Sequence, residues 1–156
     1  MEESISPFKA GLKWSLYSSL ALCIFSAGAI GSGWFDFVNS GNKEYYIFLG
    51  VCFTISLFLL IRALLYFRGK NEGLLTFGEG LSIGIFMAIF TALAIAICTF
   101  IVTSLTMPEV AQTVEPTNLD EDPIRLPVAL AFTVSIFTFF GFIGLSFILS
   151  LILKKD

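Results

Sequence analysis

Histidine is absent from this chain of 156 residues. That absence removes imidazole as a metal ligand, a general base and a proton relay near neutral pH. Charge is scarce: Asp, Glu, Lys and Arg make up 13%, against about 25% in ordinary soluble domains. The three cysteines, Cys23, Cys52 and Cys98, show no C-x-x-C spacing. They read as reduced thiols filling small spaces in three different apolar runs, not as a disulfide or metal site. No GxxxxGK[ST] phosphate loop is present, and Arg68-Gly69-Lys70 is too small a basic cluster to bind nucleic acid. It suits at most a weak attraction to anionic lipid headgroups. Ser15, Ser18, Ser19 and Ser26 have no base at a useful spacing, so nucleophilic catalysis is unsupported. Asp120-Glu121-Asp122 lacks calcium-loop spacing and reads as a solvated face. The residues therefore nominate no catalytic, cofactor or metal site, and the chain reads as a non-enzyme.

What the sequence has in quantity is hydrocarbon: 56% of its residues are hydrophobic. They gather in four runs, at about 12–34, 45–66, 77–102 and 126–153. Each exceeds the ~20 residues a helix needs to cross ~30 Å of bilayer core. Strands of a membrane barrel would be about ten residues long and would alternate in polarity, which these runs do not. The fold class is thus all-α: a polytopic membrane protein, a single domain over 1–156 built as a four-transmembrane-helix bundle. A competing reading makes the first run a signal peptide, with Lys9 and Lys13 ahead of it and Ala27-Gly28-Ala29 as a cleavage site. The apolar character continues past that site to Trp34, which favours a retained helix.

Four spans put both termini and the helix two–three turn on one side. That side carries Lys9, Lys13, Arg62, Arg68, Lys70, Lys154 and Lys155, seven of the nine basic residues. By the positive-inside rule both termini are cytoplasmic. The opposite side holds Lys43 and Arg125 among mostly acidic loops, so the net charge of −3 sums two unlike faces. Trp14, Tyr17 and Tyr66 fall near one interface and Trp34, Tyr45 and Tyr46 near the other, as aromatic belts do. Asn39-Ser40-Gly41-Asn42 marks a turn between the first two helices. The short connection at about 67–75 predicts that helices two and three are antiparallel neighbours. The longest loop, about 103–125, contains Met107-Pro108 and Glu115-Pro116, a short amphipathic turn at 109–114, and Asp122-Pro123 as a helix start.

Two stripes of small residues run at four-residue spacing. Helix three carries Gly80, Gly84, Ala88, Ala92 and Ala96; helix one carries Gly11, Ser15, Ser19, Cys23, Ala27 and Gly31. Small residues in phase let helix backbones approach closely. The stripes are expected to pack together, within one protomer or across a dimer. Helix two is bulky almost all round and is expected to face lipid or a partner, and helix four is phenylalanine-rich. Glu79 lies about one turn inside the apolar run of helix three, and Arg62 lies ~9 Å deeper along helix two than Arg68. Their matched depths predict an Arg62–Glu79 ion pair, with Lys13 as a second candidate partner. The alternatives are that Arg62 snorkels to the headgroups while Glu79 favours the helix N-terminus, or that Glu79 serves a proton or ion site.

The segment from Arg68 through Asn71-Glu72-Gly73-Leu74-Leu75-Thr76-Phe77-Gly78-Glu79-Gly80 to Gly84, with the basic end Lys154-Lys155, resembles the signature of a bacterial family of small four-helix membrane proteins. This is a domain of unknown function of the DUF four-one-nine-nine type. The resemblance implies a polytopic inner-membrane protein with no established activity, cofactor or catalytic residue. Expected partners are the lipid bilayer and a second copy or another membrane protein, with no nucleic acid. The expected role is an accessory or subunit acting through helix–helix contacts; the alternative is a small oligomeric transporter or channel for a small or lipid-linked solute.

Overall fold

The computed structural model describes residues 5–34, 42–106 and 125–154. Four helices account for nearly all of them: α1 (Pro7–Gly31), α2 (Asn42–Lys70), α3 (Phe77–Thr106) and α4 (Arg125–Leu153). All four contain a stretch long and apolar enough to cross a membrane. The turn at 39–41, the amphipathic turn at 109–114, the acidic run at 120–122 and the Asp122-Pro123 helix start lie outside the described residues.

At the start of α1 and the end of α2 the helix boundary lies beyond the apolar run. Ser6 accepts from Lys9 N at 3.3 Å and Pro7 occupies the first turn, so α1 begins at Pro7, ahead of the apolar run. At the far end of α1, Ser32 N donates to Gly28 O at 3.0 Å. α2 likewise runs on to Lys70, past its apolar stretch, because polar residues at an interface still close helical hydrogen bonds.

α3 is the organising helix, packed broadly against α4 on one side and α1 on the other. Gly80 meets Ser150 and Gly84 meets Ser146, so α3 and α4 run antiparallel. Gly11 lies against Ile83 and Phe86, and Cys23 lies by Ala94 and Cys98, so α1 and α3 run parallel. Trp14 with Tyr66, and Phe25 with Phe48, set α1 antiparallel to α2. α2 touches α1 and α4 and meets α3 only slightly. The order around the bundle is therefore α1, α3, α4, α2. Helices two and three are diagonal, which corrects the side-by-side placement expected from their short connection. The reason is steric: bulky α2 cannot approach α3 as closely as the serines of α4 or Gly11 of α1 do.

The main core lies toward the terminus-bearing end. There Ala10, Leu60, Leu64, Phe67, Leu75, Ile83, Met87 and Phe142 are buried from all four helices and the α2–α3 turn. At the opposite end a smaller cluster joins only α1 and α2, through Ala29 and Phe48. Between these clusters the helices part around a cleft of about 290 Å³, whose lining includes Leu22, Cys52, Ile95, Thr138 and Phe142.

Candidate functional site

The polar atoms that the sequence marks out converge on the α2–α3 turn and the first turns of α3. α2 ends by reaching back on itself: Gly73 N donates to Arg68 O at 2.9 Å, and Arg68 Nε donates to Gly73 O at 3.0 Å. The residues between adopt left-handed backbone, Glu72 at φ +54° followed by Gly73 at φ +80°. Such a bond across a left-handed residue is the Schellman way of closing a helix. Asn71 does a second job. Its carboxamide accepts from Ile5 N at 2.9 Å and donates to Ile5 O at 3.1 Å, pinning the segment before α1 onto this turn.

α3 then opens with a capping box. The Glu79 carboxylate accepts from Thr76 N at 2.9 Å and from Thr76 Oγ1 at 2.8 Å, and Glu79 N donates to Thr76 Oγ1 at 3.3 Å. Two otherwise orphaned N–H groups are satisfied reciprocally, and the carboxylate sits at the positive end of the helix. Arg62 is exposed on α2. Among the described residues no ion pair joins it to Glu79, nor Lys13 to Glu79; Lys13 Nζ instead stands 4.3 Å from the Tyr66 ring centroid. Depth matching supposed neighbouring helices, whereas α2 and α3 lie across the diagonal. The signal for the box, a threonine three residues before the glutamate, stands plainly in Thr76-Phe77-Gly78-Glu79.

The small-residue stripe of α3 divides between two neighbours. Gly80 and Gly84 face α4, where Ser146 and Ser150 repeat the same four-residue spacing. Ser146 Oγ donates to Gly80 O at 3.2 Å, a contact possible only because neither glycine has a Cβ. A Cβ on Gly84 would collide with Ser146 Oγ and Cβ, and one on Gly80 would lie 3.0 Å from Ser150 Cβ. Ala88 and Ala92 continue the stripe and are buried, while Ala96 is half-buried. The α1 stripe meets α3 through other residues. Gly11 packs with its Cβ position 2.7 Å from Phe86 Cβ and 3.2 Å from Ile83 O. Ser15 is buried, Ser19, Cys23 and Ala27 are half-buried, and Gly31 is exposed. The glycines of α3 therefore meet serines of α4, a partnership that Phe-rich helix four did not advertise.

The cysteines divide similarly. Cys23 Sγ donates to Ala94 O at 3.9 Å and Cys98 Sγ to Cys23 O at 4.0 Å, which brings those two thiols into one seam; Cys52 lies apart on α2. All three are free. Among the described residues, the buried polar atoms Trp14 Nε1, Ser18 Oγ, Thr91 Oγ1 and Ser150 Oγ have no hydrogen-bond partner. Among the described residues no group of three His, Cys, Asp or Glu side chains converges as a metal site would. What the arrangement can do is hold helices at close range. No protein-family model, curated protein or solved structure matches the chain.

Proposed function

We propose that this protein is a non-enzymatic subunit or accessory of a membrane assembly, acting through helix–helix contacts. One observation carries the reading: the hydrogen-bonded polar groups within and beside the spans are engaged inside the bundle, across a seam or within a helix. Ser146 bonds Gly80 across the α3–α4 seam, Asn71 holds Ile5 on the α2–α3 turn, and within α3 Glu79 caps through Thr76 and Thr103 turns back to Thr99 O at 2.7 Å. An outward aromatic surface remains, including Phe53 and Phe58 on α2 and Phe137 and Phe140 on α4. The partner in this proposal is a membrane protein or a second copy. The charge pattern supports a multi-pass placement in a bacterial inner membrane with both termini cytoplasmic, and the resemblance over 68–84 supports kinship with the DUF four-one-nine-nine type. The test is photo-crosslinking from position 58, followed by mild solubilisation, affinity capture and mass spectrometry. A defined crosslinked partner is expected; a lone, uncrosslinked species overturns the reading.

The cleft favours a second reading as a small transporter or channel. Its lining includes Ser26, Ser56, Thr133 and Thr138. Ser56 and Thr138 already donate to their own helices, at Cys52 O and Val134 O, each at 2.8 Å. Solute flux in proteoliposomes holding only the purified protein would establish this reading. Glu79→Gln should leave such flux unchanged, because the glutamate caps a helix end; a folded variant that lost flux would return Glu79 to the transport path.

A further inference from the structure

A second concavity lies on the outer side of the α1–α3 seam, separate from the cleft. It is a groove of about 530 Å³ whose lining includes Lys9, Leu12, Lys13, Leu16, Phe90 and Ala94. Its composition is polarised along the helix. Lys9 and Lys13 stand one turn apart near the start of α1, while the groove continues past Leu16, on the order of 10 Å from Lys9 along the helix axis. Both lysines are exposed, and among the described residues neither has an acidic partner. Lys13 Nζ rests over the Tyr66 ring of α2, on the α1–α2 side, and its flexible stem lets it swing from that ring to a phosphate beside Lys9 without any charge being neutralised first. Two cations at the interfacial end of an apolar trough, with no acidic partner among the described residues, match a molecule with an anionic head and a hydrocarbon tail.

We propose that this groove binds one anionic phospholipid from the leaflet at the terminus-bearing end. Its phosphate lies between the Lys9 and Lys13 ammoniums, and one acyl chain lies along Leu12, Leu16, Phe90 and Ala94. The flexible four-carbon lysine stems let both ammoniums reach a common phosphate. The site is independent of the accessory reading above and does not require a protein partner.

Native mass spectrometry of the intact protein, released from detergent after titration with dioleoyl phosphatidylglycerol, reads the site directly. One molecule of this lipid is expected to be retained in preference to dioleoyl phosphatidylcholine. The double substitution Lys9→Gln/Lys13→Gln should weaken retention by about 30-fold, as expected for two interfacial cations. Leu16→Trp keeps both charges and, at an exposed position, fills the trough; it should also abolish preferential retention. Lys154→Gln, a cation at the same end but outside the groove, should change nothing. Equal retention of the two lipids overturns the proposal, as does displacement by millimolar inorganic phosphate, which would mark a free-anion site. An effect of Lys154→Gln as large as that of the double variant also overturns it, since net charge would then suffice. If the double variant fails to fold, the lipid comparison, the phosphate competition and Leu16→Trp still decide.

Discussion

At the α3–α4 seam single atoms decide whether two helices meet. Gly84→Ala would place a methyl group on Ser146 Cβ, and the helices could accept it only by separating. Overpacking of this kind costs about 1–3 kcal/mol, read as a lower midpoint in a mixed-micelle SDS titration. Ser146→Ala removes only the bond to Gly80 O, and interhelical hydrogen bonds in membranes average about 0.6 kcal/mol. The glycine variant should therefore be clearly the weaker, and the opposite ranking would show that the hydrogen bond, not close approach, holds the seam. Thr91 supplies a contrast, since its hydroxyl is buried without a partner. Replacing such a group by an apolar one of the same shape is neutral or stabilising, so Thr91→Val should hold or raise the same midpoint.

Among elements, the α2–α3 turn is the most densely tied. Glu72 occupies left-handed backbone that glycine adopts without steric cost. Glu72→Gly should be tolerated or mildly stabilising, whereas Gly73→Ala should cost about 1 kcal/mol, the usual penalty for a side chain in that region. Glu79→Gln keeps an acceptor and should keep the cap, while Glu79→Leu should lose about 1 kcal/mol. Thermal unfolding of the purified variants in one detergent checks both pairs. The turn also shows where sequence reading succeeds and stops. The four helices were legible because hydrocarbon thickness dictates run length, and the stripes were legible because small residues recur in phase. The Thr76–Glu79 box was legible too, yet two charges at matched depth suggested an ion pair instead. The pairing of glycines with Ser146 and Ser150 was not legible. A serine every fourth residue vanishes among the phenylalanines of α4, and no local pattern says which helix a stripe will face. The reach of Asn71 to Ile5 joins residues 66 positions apart and leaves no trace in either neighbourhood.

For the whole molecule, the parallel arrangement of α1 and α3 has a direct chemical check. Cys23 and Cys98 share a seam, so mild oxidation of the Cys52→Ser variant with iodine should join them within one chain. Cleavage at methionine cuts at Met87, between them, and at Met107, beyond both; the pieces 2–87 and 88–107 should then part from each other only after reduction. Separation of those two pieces without reductant would disprove the α1–α3 register. The circuit α1, α3, α4, α2 also has a consequence for biogenesis. Helices leave the ribosome in chain order, so α1 and α2 reach the bilayer before α3 and α4, which complete the main core, have been made. Their own contacts are modest, and the surface of α1 around Gly11 waits for a helix not yet synthesised. A nascent chain stopped at residue 76 should therefore be cleared by membrane proteases much faster than the complete one in a pulse-chase. Equal lifetimes would show that the first hairpin is self-sufficient. The diagonal crossover thus makes quality control sensitive to the second half of the chain: until α3 slots between α1 and α4, the cell holds two loosely associated helices and no finished protein.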